Sequence, residues 1–119
     1  AKLARFSAAF ERLGRDIGTA TGTTFGFAQS THSEPAMADD RVMGWIDASA
    51  ASLGLTRQGM RSGAGHDAQE LALIAPMGMI FVPSVGGISH SPLEFTKPED
   101  VANGADVLLN AVIEADRAV

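Results

Sequence analysis

The clearest pattern in the chain is the spacing of apolar residues at steps of three and four, which gathers side chains on one face of a helix. It first predicts a helix over residues 2–17, with Gly18 and Gly22 ending it. The apolar face of this helix consists of Leu3, Phe6, Phe10, Leu13 and Ile17.

The same spacing predicts two further helices. One covers residues 39–53, with Asp39 or Asp40 as its N-cap and Gly54 as its stop. The other begins at Pro98 and runs to about residue 117. A shorter helix is predicted over residues 67–75, after a glycine-rich turn.

Runs rich in β-branched, aromatic or continuous apolar residues predict three strands, over residues 23–31, 55–60 and 77–82. Phe25 and Phe27 would share one face of the first strand. Residues 32–40 are polar, contain Pro35 and indicate a domain boundary. Beyond that boundary, helices alternate with buried strands, which predicts parallel strands in an α/β layer.

Composition limits the classes of function. The chain has 119 residues, 45% of them hydrophobic and 19% charged, as in an ordinary globular domain. Its net charge of −5 argues against nucleic acid as a partner. No apolar run reaches the roughly 20 residues of a membrane span. Without a recognisable signal peptide, a cytoplasmic location is expected, and a start inside a helix without Met suggests a fragment.

Two glycine-rich loops carry the candidate chemistry. Residues 62–67 and residues 84–92 each follow a predicted strand, and functional crevices of open α/β sheets lie at the carboxyl ends of strands. With no cysteine in the chain, any metal must be held by histidine and carboxylates. His90, flanked by Gly86, Gly87 and Pro92, is then a metal-ligand candidate, and an exposed loop histidine is the alternative.

The loop over residues 62–67 has two interpretations. Backbone N–H groups at a helix start can bind a carboxylate or an oxyanion, and His66 can donate there. Alternatively the loop is only a capping turn with Asp67 as the cap. A triad of Ser62, His66 and Asp67 is rejected, because no G-x-S-x-G elbow is present and adjacent His and Asp cannot align on one serine.

The remaining polar groups are weaker candidates. His32, Glu34 and Asp39 form a loose group that would equally suit a charged linker. Arg41 and Arg61 have the charge to bind a carboxylate, although surface positions explain them as well.

Two segments, MRSGAGHD over residues 60–67 and GMIFVPSVGGISHSPLEF over residues 78–95, resemble a known family. They are similar to the zinc-dependent amidohydrolases that include N-carbamoyl-L-amino-acid hydrolase, allantoate amidohydrolase and β-ureidopropionase, within the aminoacylase-like metallopeptidase superfamily. The likeness covers residues 33–119, and residues 98–116 resemble the closing helix of the family.

The resemblance implies a fold and a domain plan. Residues 34–119 would be the C-terminal half of a three-layer α/β metallopeptidase-like catalytic domain. Residues 1–33 would be the last helix and strand of an α+β lid or dimerisation domain, and the intact enzyme would be a homodimer.

The resemblance also implies residue roles. His90 matches the histidine that ligates one of two divalent metal ions, zinc or else manganese or cobalt, in each intact subunit. Gly65 and His66 match the pair that contacts the substrate. Asp67 would be a cap or a supporting group, and Gly86 with Gly87 would shape the approach to the metal.

The implied activity is hydrolysis of linear amide C–N bonds in N-carbamoyl-L-amino acids or related ureido acids by metal-activated water. The family's other ligands and its general base do not match anything in this chain, so the fragment alone is expected to be inactive and need not hold metal. Allantoate or another aminoacylase-type substrate is the alternative, and a non-catalytic binding or interaction domain is the interpretation from another class.

Overall fold

The computed structural model describes residues 2–31 and 33–118. The chain divides into two compact units, with the boundary between Glu34 and Pro35. The first unit contains one helix and an extended segment. In the part of the chain that is described, the second contains three α-helices and a short 3-10 turn. Within residues 2–31 and 33–118, none of the helices combines the length and the apolar character of a membrane-spanning segment.

Helix α1 covers Lys2–Thr21 and extends four residues beyond the predicted end. Gly18 does not stop it but lies buried inside it, where a Cβ would come within 2.6 Å of the Thr23 carbonyl oxygen. The helix ends at Gly22, whose φ of +71° suits glycine. Gly18 therefore permits a close approach of the chain that returns along the helix.

Residues 23–31 run extended along α1 but do not form a β-strand. Phe25 and Phe27 both contact the helix at Gly14, which confirms that they share a face. Phe27 also meets Phe10 edge to face, with ring centroids 5.5 Å apart. The predicted shared face of Phe25 and Phe27 is thus confirmed, whereas the predicted strand over residues 23–31 is wrong.

Helix α2 covers Asp40–Ser52, and its start confirms Asp39 as the N-cap. The Asp39 carboxylate accepts hydrogen bonds from the backbone N–H groups of Arg41, at 2.9 Å, and Val42, at 3.2 Å. These bonds satisfy donors that the helix itself leaves unpaired. Gly54 follows the helix with φ of +69°, as its predicted stop.

Helix α4 covers Pro98–Arg117, matching its prediction, and packs against α2. Helix α3 is much shorter than predicted, covering only Ala68–Leu71, and continues as turns to residue 75. Pro76 follows directly, and a proline disfavours helical geometry in the residue before it. The proline therefore explains why the turns do not continue beyond residue 75.

The segment over residues 77–82 lies against both α2 and α4. A Cβ at Gly78 would come within 2.7 Å of Val42 Cγ1, and one at Gly104 within 2.5 Å of Val82 Cγ1. Two glycines thus bring the segment onto the helices. The buried core of this unit consists of Ser49, Ala50, Val107 and Ala111.

The predicted strands over residues 55–60 and 77–82 are also wrong as strands, since no β-ladder occurs anywhere in residues 2–31 and 33–118. Residues 77–80 are half-buried, so the apolar run correctly predicted packing. A strand, however, needs a neighbour that accepts and donates along its whole edge. The expected parallel sheet is therefore not formed by these segments.

The second unit exposes large apolar side chains beyond the core. Leu73 is 78% exposed and Ile74 84% exposed. Further exposed apolar side chains on this unit include Met60, Leu71, Leu93 and Phe95. Large apolar side chains left this exposed are typical of regions that pack against other protein.

Candidate functional site

The loop over residues 62–67 forms a local network around His66. Ser62 Oγ lies 2.6 Å from His66 Nε2, and the backbone N–H of Ala64 donates to the same Oγ at 3.2 Å. The His66 backbone N–H donates to Gln69 Oε1 at 3.2 Å. His66 is thus held by a loop serine at its ring and by an α3 side chain at its backbone.

The ring of His66 also rests on an aromatic side chain from the neighbouring segment. Its centroid lies 5.7 Å from that of Phe81, with the ring planes at 65°. This edge contact joins the loop to the segment that packs on α2 and α4. His66 is half-buried as a result, and its ring orientation is fixed from two sides.

Asp67 does not play the capping role proposed for it. It occupies the N-cap position of α3, but its backbone is helical and its side chain makes no capping hydrogen bond. The four residues of α3 also align too few peptide dipoles for a strong positive helix end. Anion binding at this loop must therefore rely on His66 and the loop backbone rather than on α3.

The loop over residues 84–92 contains three residues with left-handed backbone. Gly86 and Gly87 each have φ of +68°, and His90 has φ of +56°, an uncommon value for a residue with a Cβ. The Val85 backbone N–H donates to the Phe95 carbonyl at 2.8 Å and closes the loop at its base. The glycines permit the sharp turn that leads the chain to His90.

The backbone of His90 is fixed by a glutamate four residues later. Its N–H donates to Glu94 Oε2 at 2.9 Å, while the Glu94 backbone N–H donates to the Ser91 carbonyl at 2.9 Å. No hydrogen bond engages the His90 imidazole within residues 2–31 and 33–118. The ring is exposed, so it is available to a ligand from outside the loop.

The structure brings these candidates into two separate groups. Ser62 and Phe81 contact His66, and Glu94 contacts His90, but no hydrogen bond or ring contact joins the two histidines in the described chain. No cluster of three or more metal-ligating side chains occurs among those residues either. The loops thus offer single groups, and a complete metal site would need ligands from elsewhere.

The weaker candidates do not gather at either loop. His32 lies outside the described residues. Asp39 is engaged as the α2 cap, and its pKa is lowered because the backbone N–H of Val42 donates to its carboxylate. The Arg41 guanidinium lies 3.4 Å from the same carboxylate. Arg61 is exposed beside Ser62.

Sequence reasoning missed three contributors. The apolar pattern places Phe81 only in a strand, and the motif around His90 gives no role to Glu94. The sequence suggests for Ser62 only a place in a triad, which the spacing excludes. The four-residue spacing of Ser62 from His66, and of His90 from Glu94, was the available signal. Only the turn geometry shows that each spacing produces a contact.

The chain matches the model of peptidase family M20/M25/M40 over residues 9–114. It is 46% identical over 74 residues to a ureidoglycolate hydrolase of Arabidopsis thaliana, covering 62% of this chain and 16% of that protein. It is 41% identical over 88 residues to an N-carbamoyl-L-amino-acid amidohydrolase of Rhizobium meliloti, covering 74% of this chain and 21% of that protein.

Among solved structures, the chain resembles an amidase of the hydantoinase/carbamoylase family from Burkholderia multivorans. The TM-score is 0.78 at 37% identity, over 92% of this chain and 26% of that one. The likeness supports a fold of the α/β metallopeptidase type. The chain spans about a fifth of the length of the curated relatives it matches.

Proposed function

Because the chain belongs to peptidase family M20/M25/M40, we propose that it contributes to a metal-dependent amidohydrolase acting on N-carbamoyl-L-amino acids or related ureido acids. The observation that carries the proposal is the loop of His90, where a left-handed backbone fixed by Glu94 leaves the imidazole exposed. The relatives named above act, by their names, on molecules of this chemical class.

The residues present fit one position of a metal site. A neutral imidazole is a common ligand of zinc, and His90 is the exposed candidate whose ring the loop leaves unengaged. A bound divalent metal supplies Lewis acidity and an activated water for amide hydrolysis. The other ligands and the general base would have to come from outside residues 2–31 and 33–118, since those hold no ligand cluster.

His66 is proposed to bind the substrate, together with Gly65. Its half-buried ring is oriented by Ser62 and Phe81, which suits a donor that must meet a carboxylate or a carbonyl oxygen in one geometry. An imidazole N–H aimed at an oxygen that gains charge during hydrolysis also lowers the barrier. In this scheme His90 ligates the metal and His66 binds the substrate.

We assign residues 34–119 to the C-terminal half of the catalytic domain and residues 1–33 to the end of a lid or dimerisation domain of a homodimer. The exposed apolar residues of the second unit support packing against a neighbouring part of the same enzyme. These 119 residues alone are then expected to be inactive.

The assignment of the two histidines can be tested in the intact enzyme by replacing each with alanine. His90→Ala should lower bound zinc, measured by atomic emission, and should abolish most turnover. His66→Ala should retain zinc and weaken substrate binding or turnover. Unchanged zinc content and rate in the His90→Ala enzyme would refute the proposal.

The substrate can be assigned by comparing kcat/KM of the intact enzyme on N-carbamoyl-L-amino acids, ureidoglycolate and allantoate. The name of the Arabidopsis relative favours inclusion of ureidoglycolate. A preference for allantoate would revise only the proposed substrate and would not affect the proposed metal-dependent hydrolysis. If the intact enzyme hydrolyses none of these amides, the proposed activity is refuted.

A further inference from the structure

Ser62 lies in the glycine-rich loop with its hydroxyl oxygen 2.6 Å from His66 Nε2. A serine hydroxyl has one proton to donate and two lone pairs that accept. One lone pair already accepts the Ala64 backbone N–H at 3.2 Å. The direction of the Ser62–His66 hydrogen bond therefore determines whether the hydroxyl proton has a partner.

Two arrangements are chemically distinct. If Nε2 carried the proton, Ser62 Oγ would accept twice and its own proton would have no partner among the described residues. If Nε2 accepts, the hydroxyl donates to Nε2 and accepts from Ala64. The second arrangement pairs the hydroxyl proton and leaves only Nδ1–H without a partner among the described residues, whereas the first leaves both the hydroxyl proton and Nδ1 unpaired. The short O···N distance also suits an O–H donor.

This hydrogen bond has a consequence for the other ring nitrogen. In a neutral imidazole one nitrogen carries the proton, and the hydrogen bond made by one nitrogen decides the state of the other. With Nε2 accepting, the proton resides on Nδ1. Nδ1 makes no hydrogen bond within residues 2–31 and 33–118 and is left as a donor.

We propose that Ser62 is a positioning residue that holds neutral His66 in the Nδ1–H form, so that Nδ1–H is the group offered to an oxygen of the substrate. Phe81 completes the arrangement by limiting rotation of the ring. The oxygen bound would belong to a carboxylate or an amide carbonyl, both of which only accept. The substrate part of this inference rests on the role proposed above for His66.

The tautomer can be measured directly by long-range ¹H–¹⁵N NMR on the intact protein labelled with ¹⁵N-histidine. His66 would be assigned by loss of its signals in His66→Gln, and spectra would be taken at a pH where the ring is neutral. The expected result is protonated Nδ1 in the parent and a shift toward protonated Nε2 in Ser62→Ala. Ser62→Thr, which keeps the hydroxyl, should restore the parent pattern.

Ser30→Ala provides a matched control, because Ser30 is an exposed loop serine in the other unit. Its spectrum should keep the parent His66 signals. Protonated Nε2 in the parent, or identical His66 signals in the parent and in Ser62→Ala, would overturn the proposal. This result does not depend on any activity, so it stands whether or not the enzyme is an amidohydrolase.

Kinetics then test whether Ser62 acts through His66. Loss of one orienting hydrogen bond should lower kcat/KM by about 5- to 10-fold in Ser62→Ala. In the His66→Ala background the same change should have no further effect, because groups that act as a unit are not additive. Equal losses in both backgrounds would contradict positioning through His66. A tautomer shift with unchanged kinetics would leave the tautomer assignment standing and refute the claim that Ser62 positions His66 for the substrate.

Discussion

The backbone N–H of His90 donates to Glu94 Oε2 at 2.9 Å, across a turn in which His90 itself has φ of +56°. A left-handed residue with a Cβ is strained and persists only where its surroundings hold it. Glu94 is the side chain that stabilises this backbone conformation of His90. The candidate metal ligand is therefore oriented through its backbone rather than through its ring.

Replacing Glu94 should consequently weaken metal binding without removing a ligand. We expect Glu94→Ala to lower the affinity of the intact enzyme for zinc by about tenfold, because groups that orient a ligand typically contribute this much. Glu94→Gln keeps an acceptor and should have a smaller effect. Competition titration with a chelator measures the change.

Glu99→Gln is the control for that experiment. Glu99 is an exposed glutamate at the start of α4, 3.7 Å from Lys97, and does not contact the loop. Its replacement should leave zinc affinity unchanged. Equal affinity in Glu94→Ala and the parent would show that the turn holds His90 without Glu94.

Two helix glycines should respond oppositely to alanine. At Gly104 a Cβ would lie 2.5 Å from Val82 Cγ1, whereas at Gly44 it would meet nothing within 4 Å. Gly104→Ala should lower the free energy of unfolding by about 1–3 kcal/mol through overpacking. Gly44→Ala should raise it by up to about 1 kcal/mol, since alanine favours helix. Urea denaturation compares them, and a stabilised Gly104→Ala variant would contradict the packing described.

Ser49 is a candidate for stabilisation. It is 3% exposed, and its hydroxyl has no hydrogen-bond partner in the described chain. Burial of an unsatisfied hydroxyl is unfavourable, so Ser49→Ala should raise the free energy of unfolding by about 1 kcal/mol. Ser52→Ala is the comparison, because the exposed Ser52 hydroxyl donates to the Ser49 carbonyl at 2.8 Å. A loss of stability in Ser49→Ala would indicate a bound partner for the hydroxyl.

The Asp39 cap should make stability depend on pH. Hydrogen bonds from Val42 and Arg41 lower the pKa of Asp39, so the folded protein favours the carboxylate more than the unfolded chain does. The contribution is complete above the unfolded pKa of about 4 and is lost as the pH falls through the lower folded pKa. Asp39→Asn keeps a cap without the charge.

Thermal denaturation from about pH 6 to pH 2 measures this effect. The parent should melt a few degrees above Asp39→Asn at the higher pH, and the difference should shrink as the pH falls. Asp40→Asn serves as the comparison, since Asp40 lies in the first turn of α2 but does not form the cap. A difference between parent and Asp39→Asn that is constant across the pH range would contradict a charged cap.

The helices were predictable because their signals are local. The cap at Asp39, the stop at Gly54 and the start at Pro98 each act within a few residues. The strands were not, because apolar runs at residues 55–60 and 77–82 report burial, while pairing depends on a partner far away in sequence. Gly18 was wrongly predicted to end α1 for a related reason. It allows a close contact with Thr23, and such a contact leaves no local pattern in the sequence.

For the candidate site, motif likeness points to His66 and His90, whose roles remain predictions. The contact of Ser62 with His66 depends on how the chain turns between them, and that of Phe81 depends on packing across the unit. Contacts of this type arise from the fold, so spacing alone does not reveal them.

Phe81, which touches the His66 ring, is followed directly by Val82, which touches Gly104 in the N-terminal half of α4. The packing of α4 and the setting of the His66 ring are therefore linked through two consecutive residues of one segment. If His66 binds the substrate as proposed, random mutagenesis of the intact enzyme should recover variants on α4 whose thermal stability is normal but whose substrate selectivity has changed. The face of α4 around Gly104 would then be a place to adjust recognition without replacing His66 itself.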